Sequence, residues 1–122
     1  AQDGPTVVLV HGAWADGSCW SEVAGHLIDA GLNVVAVQNP LSSLEADVAT
    51  VRRVIDDQAG EVVLVGHSYG GVVISEAGNH DKVTSLVYVA AFAPGPNQSV
   101  NAILSAFPQP EWFSSLHADA QG

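Results

Sequence analysis

The stretch Val62-Val63-Leu64-Val65-Gly66-His67-Ser68-Tyr69-Gly70-Gly71-Val72-Val73-Ile74-Ser75-Glu76-Ala77 sets a β-branched run and a helix-compatible segment on either side of one serine. A strand that ends in Gly-x-Ser-x-Gly and passes directly into a helix is the setting of a nucleophile elbow. Such a turn holds the serine in a left-handed backbone conformation and lifts its hydroxyl clear of the sheet. Gly66 and Gly70 take the flanking positions, where a side chain would keep the chains apart, and His67 and Gly71 complete the turn. The competing reading is a phosphate-binding loop. It is weak, because the stretch lacks the Lys and Ser/Thr of a P-loop and the Gly-x-Gly-x-x-Gly spacing of a dinucleotide turn.

Outward from the elbow, the run at 61–65 is matched by three others, at 6–10, 33–37 and 84–89. Runs that are apolar at nearly every position predict strands buried on both faces, as in a parallel sheet. Trp20, Val23, Ala24, Leu27 and Ile28 keep helical spacing between the first two runs, and Gly31 closes that segment. Between the next two, Ser42 and Glu45 suggest a capping box, Leu44, Val48, Val51 and Ile55 line one face, and Gly60 is the expected stop. A third helix runs from the elbow to about Gly78. This alternation predicts an α/β domain, a parallel sheet of about four strands flanked by helices, with right-handed crossovers. Chemistry is expected at the carboxyl ends of the strands.

The core is expected over residues 1–97. Residues 98–122 change pattern: Ile103, Leu104, Phe107, Trp112, Phe113 and Leu116 surround Pro108 and Pro110, which predicts two short helices at the start of a cap or lid. A chain of 122 residues makes one domain, short for a complete catalytic α/β unit. Thirteen acidic residues against three basic ones give a net charge of −10, which argues against nucleic acid and anionic membrane surfaces as partners. The single cysteine, Cys19, reads as a small buried residue on a helix. Glu45, Asp47, Asp56 and Asp57 read as a solvated acidic face. A soluble chain is expected, in the cytoplasm by preference. Ala1 at the start of a chain without methionine suggests a processed terminus and leaves secretion open.

A serine nucleophile needs oxyanion donors, a base and a group to orient the base. The N–H of Tyr69 follows the serine at a helix start, and a second N–H is expected from Ala13 or Trp14 in the loop His11-Gly12-Ala13-Trp14. Gly12 lets that backbone turn toward the site. The base is harder to find. His11 belongs to the oxyanion loop, His67 is expected to turn into the fold, and His26 and His80 fall at the far end of the sheet. Only His117, with Asp119 two residues on, lies in a segment that could fold over the serine.

The pair Val10-His11-Gly12-Ala13 and Gly66-His67-Ser68-Tyr69-Gly70-Gly71 resembles the α/β-hydrolase superfamily over about the first hundred residues. The spacing from His11-Gly12-Ala13 to Trp20 is similar to small bacterial esterases related to plant methylesterases and hydroxynitrile lyases. The resemblance implies strand order 2-1-3-4, Ser68 as nucleophile, and the N–H groups of Ala13 or Trp14 and Tyr69 as the oxyanion hole. It also implies carboxylic ester hydrolysis through an acyl-enzyme on a small-molecule ester, without cofactor or metal. The lyases carry threonine where Gly12 stands, so Gly12 favours hydrolysis over lyase chemistry; a hydroxynitrile lyase-like or cofactor-free oxygenase activity is the alternative on the same elbow. In this superfamily an Asp or Glu and then a His follow the serine at later strand ends, and neither is found here. Low or absent turnover is therefore expected of these residues alone. A non-catalytic ligand-binding or self-associating module is the other alternative, with self-association through the fourth-strand edge or the cap segment.

Overall fold

The computed structural model describes residues 4–121; Ala1, on which the expectation of a processed terminus rests, lies outside them. The valine-rich run Thr6–Val10 forms β1, buried at every position. It pairs in parallel with β2 (Asn33–Ala36) on one edge and β3 (Val62–His67) on the other, and β3 pairs in parallel with β4 (Val83–Val89), giving the order β2-β1-β3-β4. Val10 lies opposite Gly66. That register brings the loop after β1 and the turn after β3 out of the same end of the sheet, side by side.

Successive residues of a strand face opposite ways, so each strand serves two cores. Val8, Val10, Val62 and Leu64 pack with Val48, Val51 and Ile55 of α2 (Leu44–Asp56) and with Val73, Ile74 and Ala77 of α3 (Gly70–Ala77). Val7 and Leu9 face the other way, onto Trp20 with Ala24 and Leu27 of α1 (Ser21–Asp29). Each fully buried aliphatic side chain contributes about 1.5–3 kcal/mol relative to exposure.

Several expectations are corrected. Burial on both faces holds for β1, whereas β2 is half-buried and β4 is exposed over most of its length. β4 is an edge, and its Val87 and Val89 are exposed. On α1, Val23 and Ile28 are exposed, while Ala24 and Leu27 carry the contact. The cap of α2 is Ser43, whose hydroxyl accepts from Ala46 N–H at 3.0 Å, one residue later than the Ser42/Glu45 box. That helix ends at Asp56, well before Gly60. Asp47 is no part of a solvated face: it is 1% exposed.

Beyond β4, residues 90–99 run irregularly into α4 (Val100–Leu104) and a 3-10 turn at Glu111–Ser115. Ile103 and Leu104 are half-buried, and residues 105–121 are exposed.

Candidate active site

Ser68 sits between β3 and α3 with φ +54°, the left-handed conformation that the Gly-x-Ser-x-Gly turn implies. Its carbonyl accepts from Gly71 N–H at 3.0 Å and from Phe92 N–H at 3.2 Å, so the loop after β4 pins the turn from one side. The glycines work through close approach. A Cβ on Gly66 would stand 2.6 Å from the Gly70 carbonyl oxygen, and one on Gly70 or Gly71 would collide with the carbonyl of Val10 or Phe92 respectively. The first helical turn of α3 is thus seated directly on the end of β1.

From β1 the chain enters the loop that carries the expected donors. His11 is fully buried: Asn39 N–H donates to its Nε2 at 3.0 Å, which leaves Nδ1 to donate to the Gly12 carbonyl at 2.8 Å. Both ring nitrogens are therefore engaged in shaping the loop. A Cβ built on Gly12 would lie 3.0 Å from Ser68 Cβ and 3.5 Å from Ser68 Oγ, so this backbone faces the serine directly. Trp14 then takes φ +60° and stands 93% exposed at the mouth of the site. Among the described residues, no acceptor pairs with the N–H groups of Ala13, Trp14 or Tyr69, and nothing hydrogen-bonds to Ser68 Oγ. An unpaired hydroxyl beside unpaired donors at a helix N-terminus is an arrangement suited to acyl transfer.

The histidines are dispersed. His67 is exposed, its ring edge-on to Trp20 at 6.3 Å, which corrects the expectation that it turns into the fold. His67 is the last residue of β3, at the carboxyl end of the sheet, where its side chain emerges at the rim. His26 is exposed on α1, and His80 binds Asp56 Oδ1 at 2.7 Å beyond α3. His117 and Asp119 share an open cavity of about 460 Å³ with Trp14, which places them beside the loop that follows β1. Cys19 is exposed in the 3-10 turn at Gly17–Trp20, not buried on a helix, because Trp20 is the residue of that turn that enters the core. Slight desolvation by the chain around its sulfur, then the charge of Asp16, pushes its thiol up. The described residues contain no His, Cys, Asp or Glu cluster able to hold a metal ion, and no helix long and apolar enough to cross a membrane.

One residue of the site escapes sequence reading. Asp47 accepts from Tyr69 Oη at 2.7 Å and from Leu41 N–H at 2.9 Å. A signal existed in the helical phase, since Asp47 falls on the α2 stripe with Val48, Val51 and Ile55. Burial, then the hydrogen bond from its hydroxyl to Asp47 and that carboxylate's charge, raises the Tyr69 phenol. A phenol whose folded-state pKa exceeds its unfolded value of about 10 adds stability that is complete below that pH and is lost as pH rises beyond it. Urea unfolding at about pH 8 and 11 should therefore show a smaller alkaline loss for Tyr69→Phe than for wild type. Equal losses would assign the alkaline sensitivity to other groups.

Residues 7–121 match the model of the alpha/beta hydrolase family, and the chain belongs to that family. Among its relatives, a carbendazim hydrolyzing esterase from Nocardioides sp. (strain SG-4G) is 38% identical over 131 residues, covering 93% of this chain and 54% of that protein. Methyl jasmonate esterase 1 from Vitis vinifera is 31% identical over 130 residues, 94% of this chain and 46% of its own. Among solved structures, an extracellular alpha/beta-hydrolase from a Paenibacillus species, described as sharing structural and functional homology with tobacco salicylic acid binding protein 2, superposes with a TM-score of 0.74. It is 31% identical, over 86% of this chain and 47% of that one. The chain thus spans about half the length of the relatives it matches.

Proposed function

We propose that the protein is a carboxylic ester hydrolase in which Ser68 attacks the ester carbonyl of a small molecule. The N–H groups of Tyr69 and of Ala13 or Trp14 hold the tetrahedral oxyanion, and water releases the acyl-enzyme. The observation that carries this reading is the left-handed Ser68 facing the Gly12 backbone, with unpaired N–H donors on both sides. The names of its relatives support the same class, since both the Nocardioides and Vitis proteins are called esterases. The tight Gly12 position also supports hydrolysis over lyase chemistry: a Cβ there would lie 3.0 Å from both the His67 carbonyl oxygen and Ser68 Cβ, so a threonine would crowd the serine.

Among the described residues no base reaches Ser68 Oγ, so these 122 residues alone should acylate slowly and turn over little. His117 is the histidine that shares a cavity with the oxyanion loop. Acid formation from short p-nitrophenyl esters, measured beside cyanide release from a cyanohydrin, tests the reaction class. Cyanide release without acid formation would replace the hydrolase reading with the lyase one.

The β4 edge, with Leu86, Val87, Tyr88 and Val89 each more than a third exposed, supports self-association of the 122-residue chain. Sedimentation should give a dimer that Val87→Lys reduces to monomer. A wild-type monomer at all concentrations would remove that surface from consideration.

A further inference from the structure

Asp47 stands on α2, distant in sequence from both the elbow and the oxyanion loop, yet its two oxygens reach a wall on each side of the site. Oδ2 accepts from the phenol of Tyr69, the residue that immediately follows Ser68. Oδ1 accepts from the N–H of Leu41, whose φ of +56° is a strained conformation for a leucine and needs such a tether. Leu41 and Leu44 form one wall of an open cavity of about 300 Å³, with Ala13, Trp14 and Tyr69 on the others and Asp47 at its base. The carboxylate is 1% exposed, and burying a charge of this kind is costly unless its partners compensate. A valine or leucine at this helical phase would fill the same space without that cost. The carboxylate does what an aliphatic side chain could not: it ties the Tyr69 phenol to the Leu41 N–H, across the loop at residues 38–43.

We propose that Asp47 is a positioning residue for the ester hydrolysis assigned above, clamping the turn that carries Ser68 and the Tyr69 N–H to the Leu41 wall of the cavity beside the oxyanion loop. It touches neither substrate nor reacting atom. Its effect is exerted through the placement of an oxyanion donor, where an error of about 1 Å costs up to a hundredfold in rate. The inference rests on the esterase reading, and the experiment separates the two.

The test is steady-state hydrolysis of a short p-nitrophenyl ester by the protein and its Asp47→Asn, Tyr69→Phe and double variants, with each rate divided by the sites titrated with a serine-directed phosphonate. Asp47→Asn keeps the shape but can no longer accept from both donors. The expected result is a fall in kcat per titrated site of about ten- to a hundredfold in each single variant, with KM changed less. The double variant should be no worse than either single one, because both remove the same tether. A merely structural Asp47 would lower the unfolding midpoint and the number of titratable sites while leaving kcat per site at the wild-type value. That outcome overturns the proposal. Should Asp47→Asn fail to fold, Tyr69→Phe decides alone, since it deletes one oxygen: wild-type kcat per site refutes the clamp. Where turnover without a base is too slow to give kcat, the burst rate of p-nitrophenol release per titrated site is compared in its place, and a wild-type protein that is neither labelled nor acylated at Ser68 removes the esterase reading, and the positioning role with it.

Discussion

Ser68→Ala should abolish labelling by a serine-directed phosphonate and, in a form of the protein that supplies a base to the serine, lower ester turnover by about a thousandfold or more. The hydroxyl projects from a left-handed turn with no hydrogen-bond partner among the described residues, and the Gly12 backbone faces it across a gap that a single Cβ would nearly fill. Removing one oxygen from a half-buried position leaves the packing of β3 and α3 untouched, so the unfolding midpoint should stay near wild type. Loss of chemistry with retention of stability is the signature of a nucleophile. Equal labelling of both proteins would take Ser68 out of the mechanism. Residual turnover in Ser68→Ala is expected to be small but measurable, because donors and binding survive the loss of the nucleophile.

Gly70→Ala should be among the most damaging of the small substitutions. The added Cβ meets the Val10 carbonyl and lies 3.0 Å from that of His11, and both belong to the backbone at the end of the central strand, which cannot move aside as a side chain would. Either α3 lifts from the sheet, breaking the core around Val73 and Ile74, or β1 shifts against β3 and loses the Val10–Gly66 register. We expect a loss of about 3 kcal/mol or more, at the upper end for overpacking, read as a lowered urea midpoint. Gly25→Ala is the matched control. Gly25 lies within α1 with nothing within 4 Å of the added Cβ, so alanine should stabilise by about 0.5–1 kcal/mol. Similar effects at the two positions would show that helix propensity, not seating on β1, governs Gly70.

The contrast between these glycines shows how much of the site could be read from the chain. The elbow was legible because strand, turn and helix are contiguous there, and a left-handed serine between two glycines is a local requirement. The placement of the His11–Trp14 loop beside the serine was legible for the same reason, since that loop follows directly from β1. The Ser43 cap lay one residue from its expected place, a difference that local geometry settles only when the helix is seen. His67 and Cys19 were misplaced because each lies at the boundary of an element, where a side chain's direction depends on what covers the sheet. Asp47 was misread by charge alone. Composition assigns a carboxylate to solvent, whereas the helical phase of α2 turns this one inward to meet a phenol 22 residues away.

The amino-acid order by itself determined the alternation of strands and helices, the apolar runs that become β1 and β3, and the turn that lifts Ser68 from the sheet, all of which depend on neighbours within a few residues. Tertiary structure alone decided that Asp47 joins Leu41 to Tyr69, that His11 gives both its nitrogens to loop shape, and that His67 and Cys19 face outward. The physical reason is that hydrogen bonds and burial are settled by distance in space: two parallel strand ends and the first turn of α2 must converge before a carboxylate on one can hold a tyrosine on another.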